Sequence, residues 1–152
     1  MLRWAILLFV FLTMPLRANL GETVEQCVKR YGKPLGFTEA SAKVPFGTLG
    51  FAAGKYMLVV FLLDNKEVGA RVTKSDKSVF SDAEMKTIMD ADADPQSPWT
   101  STSSPDPACL RWTRGDKATV LYDKDKHMLI FTSVAMLNVT EHRTPVEEPQ
   151  KK

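Results

Sequence analysis

Two cysteines, a run of alternating aspartates, one histidine outside the C-terminal tail and two tryptophans are the side chains whose chemistry needs an account. Cys27 and Cys109 are the only thiols. In an oxidising compartment an even pair predicts a Cys27–Cys109 disulfide that ties the two halves of the chain together. The alternative is two separate buried thiols, a common fate of free cysteine. Asp90, Asp92 and Asp94 in D-A-D-A-D-P match the first three side-chain ligands of a calcium loop. That loop then needs Gly and Glu where this chain has Pro95 and Ser101, so a solvated acidic helix end is expected instead. His127 has no second ligand near it, which argues against zinc. Neither His127 nor His142 lies near a cysteine in sequence, and G-x-S-x-G, H-E-x-x-H and Gly-rich phosphate motifs are absent. The expectation is a protein with no catalytic residue, no metal and no cofactor. Trp99 and Trp112 are left as candidate binding anchors, since tryptophan is enriched at interface hot spots. Trp99 lies in a polar loop where an apolar ring needs a reason; the alternative is that it plugs the core under that loop.

The N-terminus sets the compartment. Arg3 precedes an apolar stretch from Trp4 to Leu16, and Ala18 can precede a cleavage site. This is the layout of a signal peptide over residues 1–18. The stretch is shorter than the ~20 residues a spanning helix needs, so no stable membrane anchor is expected after cleavage. No lipidation box precedes Cys27. Of the 20 Lys and Arg, Arg3 and Arg17 fall in this segment, and the remaining 18 match the 18 Asp and Glu. A balanced chain without a basic cluster disfavours nucleic acid as a partner. The predicted location is exported, either periplasmic or secreted.

The elements that must position these residues come in two similar runs. Val24, Cys27, Val28 and Tyr31 form one helical stripe, opened by a Thr23/Gln26 capping box and closed by Gly32 and Pro34. Strands are predicted near 47–53, 55–63 and 67–74, separated by the turns Gly54-Lys55 and Asp64-Asn65-Lys66. The pattern restarts with a Ser81/Glu84 capping box and the apolar positions Ala83, Met85, Ile88 and Met89. After a polar loop from Asp90 to Pro107, strands are predicted near 108–114, 117–122 and 127–137. The organisation is one α+β domain over 19–138, made of two tandem α-βββ units (about 19–78 and 79–138). An antiparallel sheet carries helices on one face. Residues 139–152 show no periodic apolar face and are expected to be a disordered tail.

The segment Gly21-Glu22-Thr23-Val24-Glu25-Gln26-Cys27-Val28-Lys29-Arg30-Tyr31-Gly32-Lys33-Pro34 resembles the short helix of small bacterial envelope proteins. These are the small lipoprotein of the outer-membrane β-barrel assembly machine and the tandem-repeat β-lactamase inhibitor protein. The resemblance implies helices packed on an antiparallel sheet and a role in binding other proteins. It implies no particular functional residue.

Both faces of the central strands are apolar. Met57, Val59, Phe61 and Leu63 alternate with Tyr56, Leu58, Val60 and Leu62, whereas a sheet with one wet face alternates apolar with polar. Loops 33–46 and 90–107 can cover the second face, the sheet can close on itself, or a ligand can lie there. The reading is an exported, non-enzymatic module that binds an envelope or extracellular protein. The alternatives are a carrier of an apolar small molecule, or a small metal-dependent hydrolase using Asp90, Asp92, Asp94 or His127.

Overall fold

The computed structural model describes residues 19–141; the expected signal segment 1–18 and residues 142–152 lie outside the described residues. The elements are α1 (Val24–Tyr31), β1 (Gly36–Thr38), β2 (Gly47–Ala53), β3 (Tyr56–Leu63) and β4 (Lys66–Lys74) in the first half. The second half holds α2 (Asp82–Asp92), β5 (Thr100–Thr102), β6 (Cys109–Thr113), β7 (Thr119–Asp123), β8 (Met128–Thr132) and α3 (Val134–Glu141). Both predicted capping boxes form. Thr23 N–H donates to Gln26 Oε1 at 2.8 Å and Ser81 N–H to Glu84 Oε2 at 2.8 Å. Gly54 (φ 60°) makes one hairpin turn, and Asp64 (φ 50°) with Asn65 (φ 63°) makes the next, as left-handed residues do in tight hairpins.

The strands form one antiparallel eight-stranded sheet in the order β1-β2-β3-β4-β8-β7-β6-β5. Each half is a meander, and the two meet where β4 pairs with β8. The α+β class, the antiparallel sheet and the α1/α2 layer on one face are as the sequence predicts. The α-βββ unit is not: each half carries a fourth, three-residue strand at the sheet edge, β1 and β5, in segments read as loops. The last strand is also shorter than expected. The Ser133 hydroxyl accepts from Met136 N at 3.3 Å, which starts α3 where an alternating apolar run had suggested more strand.

One inner row crosses the sheet in register: Leu49, Val60, Ala70, Phe131, Val120 and Trp112. A second row holds Phe51, Leu58, Val72, Leu129 and Tyr122. Cys27 from α1 and Met85, Ile88 and Met89 from α2 pack over them. On the far face the Phe46 ring meets Phe61 edge-on at 6.5 Å, and Met136 of α3 closes against Gly69. Between these covers Val59, Ile130 and Leu121 stay half-buried, with exposed Arg71 in the same row.

The expected disulfide is absent: Cys27 and Cys109 are both free. Register explains it. Cys27 lies against Glu67 at the start of β4, while Cys109 is level, through Asp123 and Met128, with Thr73 near its end. Glu67 and Thr73 alone are ~20 Å apart at strand rise, and a disulfide needs Cα atoms within ~7 Å.

Candidate functional site

The chain before α1 pairs with the start of β4. Gly21 N–H donates to Glu67 O at 2.8 Å, Glu67 N–H donates to Glu22 O at 2.7 Å, and Thr23 bridges to Lys66. A β-bulge sits at this point. Leu62 pairs with Glu67 but Phe61 pairs with Gly69, leaving Val68 as the extra residue. Without it, the alternation Val72, Ala70, Val68 would turn Glu67 to the far face. The bulge turns Glu67 inward instead, beneath α1, where it is 1% exposed.

Three side chains converge there. Oxygens of Glu22 and Glu67 and the Cys27 sulfur all lie within 4.8 Å of one another. The Cys27 thiol donates to Glu67 Oε2 at 3.6 Å. Glu22 is held from outside: Arg30 Nε donates to its Oε2 at 3.0 Å, a second Arg30 nitrogen pairs with its Oε1, and Asn19 Nδ2 donates to Oε1 at 2.9 Å. Glu67 Oε1 and the Tyr31 hydroxyl are buried without a hydrogen-bond partner. Burial pushes the Glu67 carboxyl up to about 9, helped by the charges of Asp92 and Glu22 and opposed by the thiol's hydrogen bond. Burial, then the nearby Glu67, pushes the Cys27 thiol up to about 12. Burial also raises the Tyr31 phenol.

The expectation of a protein without catalytic chemistry is corrected here. A thiol and two carboxylates at this spacing can hold a metal ion, which gives the chain catalytic potential. Sequence reasoning missed Glu67 because K-E-V at the start of a strand reads as surface, and only the bulge reverses it.

The aspartates of D-A-D-A-D-P do not converge. Asp90 is exposed and pairs with Lys86, and Asp94 is exposed and accepts from Gln96 N at 2.9 Å. Asp92 turns inward and meets Arg114 Nη1 at 3.0 Å, its carboxyl raised to about 7 by burial against the pull of that guanidinium. His127 Nδ1 lies 2.9 Å from Lys77 O in a turn remote from Glu67. Trp99 packs edge-on against Phe131 at 6.1 Å, donates from Nε1 to Met89 O at 3.0 Å, and carries Arg114 4.8 Å from its ring centre. Trp112 is half-buried in the inner row, and both tryptophans line a hollow of about 390 Å³ beside α2.

A second feature is apolar. Where the inner face runs out past α1 toward the β1–β2 edge, a cleft of about 500 Å³ opens. Val24, Phe37, Leu49 and Leu62 wall it, and Glu39 and Asp64 stand at its margin. α1 has eight residues and is only ~12 Å long, too short to cover this corner. Phe37 is left 60% exposed.

No protein-family model matches the chain, and no curated protein matches it. Among solved structures, an extracellular protein containing an SCP domain from Bacillus anthracis is similar with a TM-score of 0.45 and 8% identity, over 82% of this chain and 47% of that one. A cysteine-rich secretory protein from Staphylococcus aureus is similar with a TM-score of 0.47 and 11% identity, over 88% of this chain and 50% of that one. The chain thus spans about half the length of each. The resemblance of the α1 segment to the small envelope proteins is corrected: the structures matched are of this other, extracellular kind. The residues that carried it, Thr23, Gln26 and Gly32, do the local work of starting and ending a helix. Both matched proteins are described as extracellular or secretory, in agreement with the exported, periplasmic or secreted location read from the sequence. No helix among the described residues is long and apolar enough to cross a membrane.

Proposed function

We propose that this chain is an exported binding domain that carries an apolar small molecule in the cleft between α1 and the β1–β2 edge. The cleft itself is the supporting observation. Its volume, about 500 Å³, falls in the ~300–1,000 Å³ range of ligand sites, and its apolar walls carry a few polar groups at the margin. Burying Phe37 against a ligand would remove an exposed aromatic ring from water. Native mass spectrometry of the purified chain and titration with 1-anilinonaphthalene-8-sulfonate test this. One saturable site is expected, weakened at least tenfold by Phe37→Asp and unchanged by Leu110→Asp, an exposed apolar control in the other half. Absence of saturable binding, or equal loss in both variants, overturns it.

A protein partner is the second reading. In its favour is the half-buried far-face row of Val59, Ile130 and Leu121 beside Arg71. Arg71→Glu would weaken such a complex and leave dye binding intact.

A further inference from the structure

We propose that Glu22, Cys27 and Glu67 form a binding site for one divalent transition-metal ion of the zinc class. This is independent of the apolar cleft. Three observations carry it.

The first is convergence. Three donor atoms from three places in the chain, the turn before α1, the buried face of α1 and the bulged start of β4, lie within 4.8 Å of one another. The backbone bonds between Glu22 and Glu67 fix two of these residues side by side.

The second is a polar atom that lacks a partner. Glu67 is 1% exposed, and its Oε1 has no hydrogen bond. A buried, unpaired carboxylate oxygen is costly, and a cation beside it supplies the missing interaction. The Tyr31 hydroxyl, likewise unpaired, follows Cys27 by one helical turn on the same face of α1. It can serve as a further donor or hold a water on the ion.

The third is charge. A divalent ion on one thiolate and two carboxylates leaves a single net negative charge, and Arg30 already stands on Glu22 to cancel it. Each Glu22 oxygen has two lone pairs, so the carboxylate can keep Arg30 and still bind an ion. Such outer partners orient metal ligands.

The sulfur decides the class. Calcium and magnesium take oxygen ligands, whereas mixed sulfur and oxygen donors suit zinc and its neighbours. Three protein ligands leave a fourth tetrahedral position open, the arrangement of catalytic rather than structural zinc.

The test is titration of the reduced, purified chain with cobalt(II), then displacement by zinc(II). One equivalent of cobalt should produce a thiolate-to-cobalt charge-transfer band that zinc removes. Cys27→Ser should abolish the band, Glu67→Gln should weaken affinity at least tenfold, and Cys109→Ser should change neither. If Cys27→Ser does not fold, Cys109→Ser still decides, because a band that survives it has no other thiol to come from. No cobalt uptake at millimolar concentration, or a band that tracks Cys109, overturns the proposal.

Discussion

Cys27 Sγ stands 3.6 Å from Glu67 Oε2, a thiol donating to a carboxyl across forty residues of sequence, with the two side chains closed off from solvent. Burial acts on both groups in the same direction: each keeps its proton in the folded, metal-free chain.

That proton makes stability depend on pH. Glu67 binds it up to about pH 9 when folded, against an ordinary value of 4.5. Between those values the folded chain holds a proton that the unfolded chain has released. Stability is therefore fullest below about 4.5 and falls as pH rises, by up to ~1.4 kcal/mol per pH unit. Asp92, raised to about 7, adds to the fall in the lower part of the window. The groups that face Glu67 are Glu22, Cys27, Arg30 and Asp92. With chelator present, melting temperature should drop from pH 5 to pH 9, and Glu67→Gln should flatten the curve. A wild-type curve that rises over this range would refute the assignment.

Thiol accessibility follows from the free cysteines. Alkylation of the exported protein followed by intact mass should find two reactive thiols. Cys109, half-buried on β6, should react in the native state. Cys27, fully buried, should react only in denaturant. Two unreactive cysteines with a mass two hydrogens lighter would restore the disulfide.

Arg114 should matter to stability more than a surface arginine. Its side chain is 10% exposed; it bonds Asp92, whose side chain is 3% exposed, and Asp116, and it lies over Trp99. Removing one partner of such a buried pair costs ~3–5 kcal/mol. Arg114→Ala should show a loss of that size in urea unfolding, and Arg114→Lys should not recover it, because an ammonium cannot reproduce the fork and the stacking. Trp99→Ala is expected to cost ~3 kcal/mol. The two losses should be less than additive, since the residues touch.

Gly69 is where α3 meets the sheet. A Cβ there would lie 2.5 Å from Met136 Sδ and 2.8 Å from the Phe131 carbonyl oxygen. Gly69→Ala should destabilise by ~1–3 kcal/mol. Adding Met136→Ala should recover only part of this, because the carbonyl cannot move aside. Full recovery would place the whole conflict on the methionine.

The helix starts, hairpin turns and long strands were legible because each is written locally, in Thr23/Gln26, Ser81/Glu84, Gly54 and Asp64-Asn65. The edge strands β1 and β5 were not, because three residues carry no period. α3 hid behind an apolar alternation that Ser133 interrupts. The acid–thiol group was legible only as Cys27 on the buried stripe of α1. Its other members depend on pairing between Glu22 and Glu67 and on one extra residue in β4, both non-local. The disulfide expectation failed for the same reason: compartment argues for pairing, but register decides distance.

Joining the two meanders through β4 and β8 has a consequence for how the chain reaches this fold. β4 belongs to the first half, but its second neighbour is the last strand made, some sixty residues later. Until Met128–Thr132 arrives, β4 is an open edge bearing Val68, Ala70 and Val72. Open apolar edges invite pairing with another copy. The middle of the finished sheet is thus its most exposed place during synthesis and export. At high concentration, slow delivery of β8 would produce exchanged dimers in which one copy's second half completes the other's first.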